Sequence, residues 1–271
     1  MSGGLPLPAL LQQPPVALAI GGSDSGGGAG IQADLKTFAL LRVHGCCALT
    51  CVTAQNTLGV HRVDALPAAS LTAQIEAVFA DLPVAALKTG MVLNRDLIEA
   101  TAAAIAPRTV PRVIDPVMVS RAGSVLLDPE AIEAITRLLL PLADLLTPNR
   151  HEAALLAGMA IEGERDVPEA AARIAALGPK AVLIKGGALP ALRGSDWLLD
   201  QEGGRWLRGP AVETSHTHGS GCTLAAAITA GLASGLPLAA ALEQARGIVQ
   251  AGLVHALAIG AGQGPLCHWS P

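Results

Sequence analysis

Between Thr217 and Ala227 the sequence reads THGSGCTLAAA, in which Gly219 and Gly221 bracket Ser220 and Cys222 follows at once. The alanine-rich stretch behind them predicts a helix, which makes this segment a helix start. Its leading amides lack intrahelical acceptors and sit at the positive end of the dipole, an anion site suited to a phosphate or a phosphoryl group in transfer. The same field is expected to lower the Cys222 pKa and favour a thiolate able to take a proton from a substrate hydroxyl. A cysteine at a helix start also serves as a small apolar residue. The glycine setting is what argues for chemistry here.

Other segments of unusual composition follow apolar runs. GGSDSGGGAG, residues 21–30, is the most glycine-dense stretch, and bare backbone lets amides approach a ligand or simply turn. It matches neither the dinucleotide fingerprint GxGxxG nor the phosphate loop GxxxxGK[ST]. Asp34 then lies on a predicted helix, IQADLKTF, beside the stripe of Ile31, Leu35 and Phe38, where it either turns toward the glycine loop or stands in solvent. TAQNT, Thr53 to Thr57, sets amide side chains at a strand end. The donor and acceptor of Gln55 suit an aminopyrimidine or similar edge, and turn formation accounts for Asn56 better than for Gln55. Asp115 in DPVM and Asn149 and Glu152 in PNRHE offer the hard oxygen donors that Mg²⁺ prefers in phosphoryl transfer. Asn149 with Glu152 also reads as a capping box. His216 and His218 are two residues apart, but no further ligands complete a zinc set, and GxSxG is absent.

The elements that must hold these residues are legible in the hydrophobic pattern. VALAI from Val16, CCALTCVT from Cys46, VAALKT from Val84, RVIDP from Arg112, DLLTPN from Asp144 and AVLIKGG from Ala181 are short continuous apolar runs, as parallel strands covered on both faces require. Amphipathic segments separate them, among them SLTAQIEAVFADL, for which Ser70 is the expected cap. Asp196 to Gly209 reads as a β-hairpin around a Gly-Gly turn. The expected fold is α/β, a doubly wound, mostly parallel central sheet flanked by helices, with ligands at the carboxyl ends of the strands. Residues 1–15 read as a frayed leader without signal-peptide features, and 16–271 as a single domain.

Of 271 residues, 51 % are hydrophobic and 15 % charged, which excludes a disordered chain. The net charge of −4 gives no support to a nucleic-acid partner. Cys222 to Leu232, the most apolar later stretch, is about half the length of a membrane span. The five cysteines form no CxxC pair and fit a reducing cytoplasm, with Cys46, Cys47 and Cys51 as core residues.

In combination, GGSDSGGGAGIQADLKTF, TAQNTLGV, KTGM, VIDPVMV, LLTPNRHEA, IKGG and HGSGCT resemble the ribokinase-like superfamily. Within it they resemble the hydroxymethylpyrimidine and phosphomethylpyrimidine kinases of thiamine biosynthesis. The resemblance runs from about Val16 to the C-terminal helices. It implies ATP and Mg²⁺ as cofactors and successive phosphorylation of 4-amino-5-hydroxymethyl-2-methylpyrimidine and its monophosphate. It further implies pyrimidine contacts from Gly22, Asp34 and Gln55, with Met91 and Val117 lining the ring. Gly219, Ser220 and Gly221 become the anion hole, and Cys222 takes the place that sugar-kinase relatives give to a catalytic aspartate. Asn149, Lys185, Gly186 and Thr217 fall on the ATP side, and Asp115 and Glu152 near the metal. A cytoplasmic homodimer is also implied. Two departures stand out: Arg121, Ala122 and Gly123 replace the usual Lys-Ser-Gly, and SDSGGG replaces TDPSGG. A pyridoxal kinase of the same fold and a non-catalytic pyrimidine-binding protein are the competing readings.

Overall fold

The computed structural model describes residues 13–118 and 127–269. The chain forms β1 (Val16–Asp24), α1 (Gly30–Leu40), β2 (His44–Asn56), β3 (Gly59–Ala65), α2 (Ala68–Asp81), β4 (Val84–Thr89), α3 (Arg95–Ile105) and β5 (Arg112–Ile114). There follow α4 (Pro129–Ala134), β6 (Leu145–Leu146), α5 (Arg150–Ala157), α6 (Val167–Ala175), β7 (Val182–Lys185), β8 (Asp196–Asp200), β9 (Gly203–Leu207), α7 (Ser220–Ala233) and α8 (Leu238–Val254). The strands make one sheet in the order β3-β2-β1-β4-β5-β6-β7-β8-β9. From β2 to β7 neighbours are parallel, and β3, β8 and β9 add antiparallel edges. This is the doubly wound sheet the apolar runs predict, and each of the six runs forms a strand.

The order reverses between β1 and β4, because β2 lies on one side of β1 and the later strands on the other. Chain leaving adjacent strands there diverges, opening a crevice at their carboxyl ends. Alternate residues of β1 serve opposite layers. Leu18 and Ile20 join the core beneath α2 and α3, and Ala17 and Ala19 face α1 and α7. The alanines of α7 have a structural reason: Ala225, Ala226 and Ala227 are fully buried, and small side chains let a helix covered on several sides lie close to the sheet.

The structure departs from the sequence reading in three local places. β3 was not expected. It pairs with the outer half of β2 and is exposed along nearly its whole length, so it lacks the apolar run of the buried strands. Helix α2 starts at Ala68 with Pro67 at its cap, and Ser70 lies inside, its amide bonded to Pro67 O at 2.9 Å. A proline's fixed φ is ready for a helix entry, which lets the helix begin before the serine. The hairpin is present, but Gln201 and Glu202 make its turn and Gly203 opens β9. The Asp200 side chain accepts the Glu202 amide at 2.9 Å, an Asx turn that closes onto Gly203 at φ +111°. Pro15, assigned to the leader, already bonds the strand layer by accepting the His44 amide at 2.8 Å. Arg121, Ala122 and Gly123 lie outside the described residues.

Because β1 is an interior strand of the sheet and Leu18 is fully buried, Leu18→Ala is expected to lower stability by about 3 kcal/mol. Urea unfolding should show a reduced midpoint at unchanged slope.

Candidate active site

The helix start anticipated around Cys222 stands in the crevice, and a second helix start meets it. Thr217 O accepts the Ser220 amide at 3.2 Å, and the turn this closes carries Gly219 at φ +80°, a conformation that favours glycine. The Gly28 carbonyl presses so closely on Gly219 that a Cβ there would collide with it. Across this contact Gly30, first residue of α1, brings its backbone amide near enough to the Cys222 sulfur to favour the thiolate. Two helix N-termini therefore converge on the thiol.

Two buried ion pairs flank it. Lys88, from the apolar run VAALKT, reaches Asp34 with Nζ 2.8 and 3.0 Å from the two carboxylate oxygens, and both side chains are at most 2 % exposed. Burial pushes the Asp34 carboxyl up to about 6 against the attraction of Lys88, so the pair is ionised at neutral pH. Lys185 Nζ lies 2.8 Å from Asp115 Oδ1, which Thr147 Oγ1 also contacts at 3.1 Å. A Cβ on Gly221 would sit 3.4 Å from Lys185 Nζ, placing that ammonium beside the anion hole. Despite two helix termini and two ammonium groups, burial holds the Cys222 thiol up at about 11, with Lys88 the main opposing influence. The field of its own helix favours a thiolate, and the sulfur's desolvation opposes it and raises the pKa. The surface-acid reading of Asp34 is excluded.

The glycine loop is held by a residue the sequence reading did not single out. Asp24, 3 % exposed, accepts the amides of Gly26 (2.8 Å), Gly28 (3.1 Å) and Ala29 (2.8 Å), and His218 Nε2 lies 2.8 Å away. Burial pushes its carboxyl up, yet His218 and the amides of Ala29 and Gly26 hold it below the usual range. The loop is thus a folded cradle with its amides engaged. Gln55 stands beside it, half-buried, with Nε2 3.4 Å from His218 Nε2 and its backbone bracketed by Ser25 Oγ at 2.8 and 2.9 Å. Asn56 serves the turn, its Oδ1 accepting the Leu58 amide at 2.9 Å.

Gly22 and Met91 come together over Cys51. A Cβ on Gly22 would lie 2.8 Å from both Met91 Cε and Cys51 Sγ, so only glycine leaves this sulfur-lined floor intact. Thr50 Oγ1 anchors the segment by donating to Met91 O at 2.7 Å. Val117 is half-buried beyond β5, its amide bonded to Asp115 O at 2.9 Å. On the β6–β7 side, Asn149 and Glu152 form the capping box of α5, with Glu152 Oε2 accepting the Asn149 amide at 2.7 Å. Glu152 is 2 % exposed, and burial, with Asp115 adding repulsion and Lys185 opposing, raises its carboxyl to about 7. Gly186 packs against the Ser195 carbonyl, to which its amide donates at 3.1 Å. Lys88 had one sequence signal, a lysine inside an apolar strand; Asp24 and His218 had none beyond their neighbours.

A family model described as phosphomethylpyrimidine kinase matches residues 24–267. A hydroxymethylpyrimidine/phosphomethylpyrimidine kinase of Synechococcus elongatus is 59 % identical over 258 residues, covering 95 % of this chain and 98 % of the relative. Among solved structures, a pyridoxal kinase of Bacillus subtilis in an ADP complex is similar with TM-score 0.88 and 38 % identity, over 95 % of this chain and 98 % of that one. A phosphomethylpyrimidine kinase of Clostridium difficile gives TM-score 0.78 at 38 % identity, over 87 % and 97 %.

Two stability measurements check these electrostatics. Lys88→Met leaves Asp34 as a lone buried charge and should cost about 3–5 kcal/mol, much of it recovered when Asp34→Leu is added. Glu152, raised to about 7, contributes stability that is full below its unfolded pKa and lost as pH rises through 7. Urea midpoints at pH 5 and pH 8.5 should therefore show the wild type losing on the order of 2 kcal/mol relative to Glu152→Gln.

Proposed function

The chain belongs to the phosphomethylpyrimidine kinase family, and from that premise we propose how its residues divide the work. The protein is a kinase that uses ATP to phosphorylate hydroxymethylpyrimidine and then its phosphate, in thiamine biosynthesis. One observation carries the division of roles: the α7 start, with Cys222 between two buried ammonium groups, faces Asp34 and Gln55 across the switch point of the sheet.

The pyrimidine lies over Gly22, with Gln55 and Asp34 on its polar edge and Met91 and Val117 along the ring. Gly219, Ser220 and Gly221 form the hole for the transferring phosphoryl group, with the Ser220 amide closing the turn onto Thr217 O and the glycines letting backbone amides approach. Lys185 adds charge on the same side, and Asn149, Gly186 and Thr217 complete the ATP side. Cys222 touches the reacting hydroxyl. Because its thiol is protonated at neutral pH, it positions that hydroxyl in line with the phosphate, and the hydroxyl proton leaves late, as a loose phosphoryl-transfer transition state allows.

Asp115, Glu152 and Asn149 fit Mg²⁺. Asp115 lies close enough to raise the Glu152 carboxyl, and the donors are hard oxygens of the kind a water-rich ion takes. Among the described residues no cluster of three His, Cys, Asp or Glu is placed to hold a metal ion. Mg²⁺ would supply charge neutralisation between the nucleotide's terminal phosphates. We further propose one kinase domain from residue 16 to 271 acting in the cytoplasm. Among the described residues no helix is long and apolar enough to cross a membrane. A homodimer through the β2–β3 edge is supported by Val52, Val60 and Val63, which are 41–53 % exposed on an edge strand and its neighbour.

The pyridoxal kinase among the similar structures keeps pyridoxal as a second substrate to test. ATP-dependent phosphorylation compared across hydroxymethylpyrimidine, its monophosphate and pyridoxal decides substrate and second step together, and a large preference for pyridoxal would overturn the assignment. For Cys222, Cys222→Ala should lower kcat by ~10²-fold with a smaller change in KM. The wild-type kcat should stay level from pH 8.5 to 10, above the Glu152 titration, whereas a steady rise across that range would make the thiol the base.

A further inference from the structure

A single side chain on α8 bonds three separate segments beyond the β7 end of the crevice. Arg246 Nη2 donates to Gly194 O and to Leu207 O, each at 2.8 Å, and Nε donates to Asp196 Oδ2 at 3.0 Å. A terminal guanidinium nitrogen has two N–H groups, so the two carbonyls use both, and the Asp196 carboxylate fixes the plane of the fork. Gly194 lies near the end of the turn-rich segment that leaves β7 at Gly186. Leu207 is the last residue of β9, from which residues 208–219 run to the start of α7. The two segments touch at Gly194, whose φ of +75° and close approach to the carbonyls of Gly209 and Pro210 leave no room for a Cβ.

In-line transfer gives this place its significance. The pyrimidine contacts Gly22, Gln55 and Met91 stand over β1, β2 and β4. The α7 start meets Gly28 through Gly219 on one side and Lys185, the last residue of β7, through Gly221 on the other. A phosphoryl group in the anion hole, attacked from the pyrimidine side, has its leaving nucleotide on the opposite side, over β7. The nucleotide then runs outward between the segment after β7 and the segment before α7. We propose that Arg246 is a positioning residue for ATP, setting the separation of these two segments and so the width of the cleft that takes the nucleoside end. The proposal rests on the reading of Lys185, Gly186 and Thr217 as the ATP side.

The fork stands on a firm base. α8 packs on α7 through Ala241, Leu242 and Ala245, which are buried, and a Cβ on Gly231 of α7 would press on Ala241. Beyond α8 the C-terminal strap, residues 256–268, ties back to both helices' neighbourhood, the Cys267 amide donating to Gly252 O at 2.9 Å and the Leu266 amide to His218 O at 3.2 Å. Arg246 therefore carries the position of α7, and of the anion hole at its start, to both segments. Arg193 and Glu213 make a second link between them at 2.8 Å, but their side chains are 43 % and 79 % exposed, and such a pair contributes little.

Arg246→Met is expected to raise KM for ATP by ~10-fold, the cost of ordering segments no longer held, with KM for hydroxymethylpyrimidine changed by no more than about twofold. The single substitution also strands the Asp196 carboxylate, which lowers stability. Combining Arg246→Met with Asp196→Asn removes that charge and keeps an oxygen for the Gly186 amide, which Asp196 Oδ1 accepts at 3.3 Å. The urea midpoint of the double variant should recover most of the loss while its KM for ATP stays raised. An unchanged KM for ATP in Arg246→Met, equal rises for ATP and hydroxymethylpyrimidine, or a KM for ATP that returns together with the midpoint in the double variant overturns the proposal. Calorimetric titration with ADP reads the same cleft without turnover, and its dissociation constant should rise ~10-fold in the double variant. Equal constants for wild type and double variant overturn the proposal, as does a wild type that binds no ADP. A wild type that binds ADP but phosphorylates no hydroxymethylpyrimidine defeats the substrate reading instead, and the ADP constants still decide this one.

Discussion

Lys88 and Asp34 bury a full positive and a full negative charge beneath the carboxyl edge of the sheet, and the site is arranged around that pair. Taking both groups out of water costs several kcal/mol each, offset only when the geometry is close and the remaining valences are met. Two contacts of 2.8 and 3.0 Å meet that condition and tie α1 to β4 directly under Cys222. A second pair, Lys185 with Asp115, repeats the device on the neighbouring strands. Each lysine is balanced by its own carboxylate, so two ammonium groups stand beside the anion hole while the pairs themselves add no net charge. The same desolvation that makes these pairs costly keeps the nearby thiol protonated.

Between the pairs, two helix starts press glycine against glycine. The approach of Gly28 and Gly219 brings the amides of α1 and α7 to one spot, and Asp24 holds the loop that leads into α1 by three amide bonds. A glycine-rich loop is often read as flexible. Here the amides of Gly26, Gly28 and Ala29 are bonded to Asp24, which fixes the shape of the loop that leads into α1. The C-terminal strap extends the arrangement to the far side of the crevice, because one segment contacts both His218 and the turn after Gln55.

Where the sequence reading succeeded, the signal was local. Buried parallel strands need continuous apolarity, and Val16, Val84 and Ala181 each head such a run. β3 escaped notice because an edge strand facing water has no such requirement. Asn149 and Glu152 revealed their capping box because both partners lie within one turn. Ser70 misled because the proline immediately before the helix, Pro67, already supplied the entry geometry.

The sequence by itself determined the order and type of the main elements, the helix start at Gly219–Cys222, and which strand ends carry polar residues, since each depends on neighbours a few positions apart. Only the tertiary structure decided that Lys88 pairs with Asp34 across 54 positions and that Asp24 meets His218 across 194. It also decided the protonation of Cys222. The dipole favouring a thiolate belongs to its own helix and can be read from adjacent residues; the desolvation that raises the thiol comes from the elements packed on α7, α1 and β4 among them, and exists only in the folded chain.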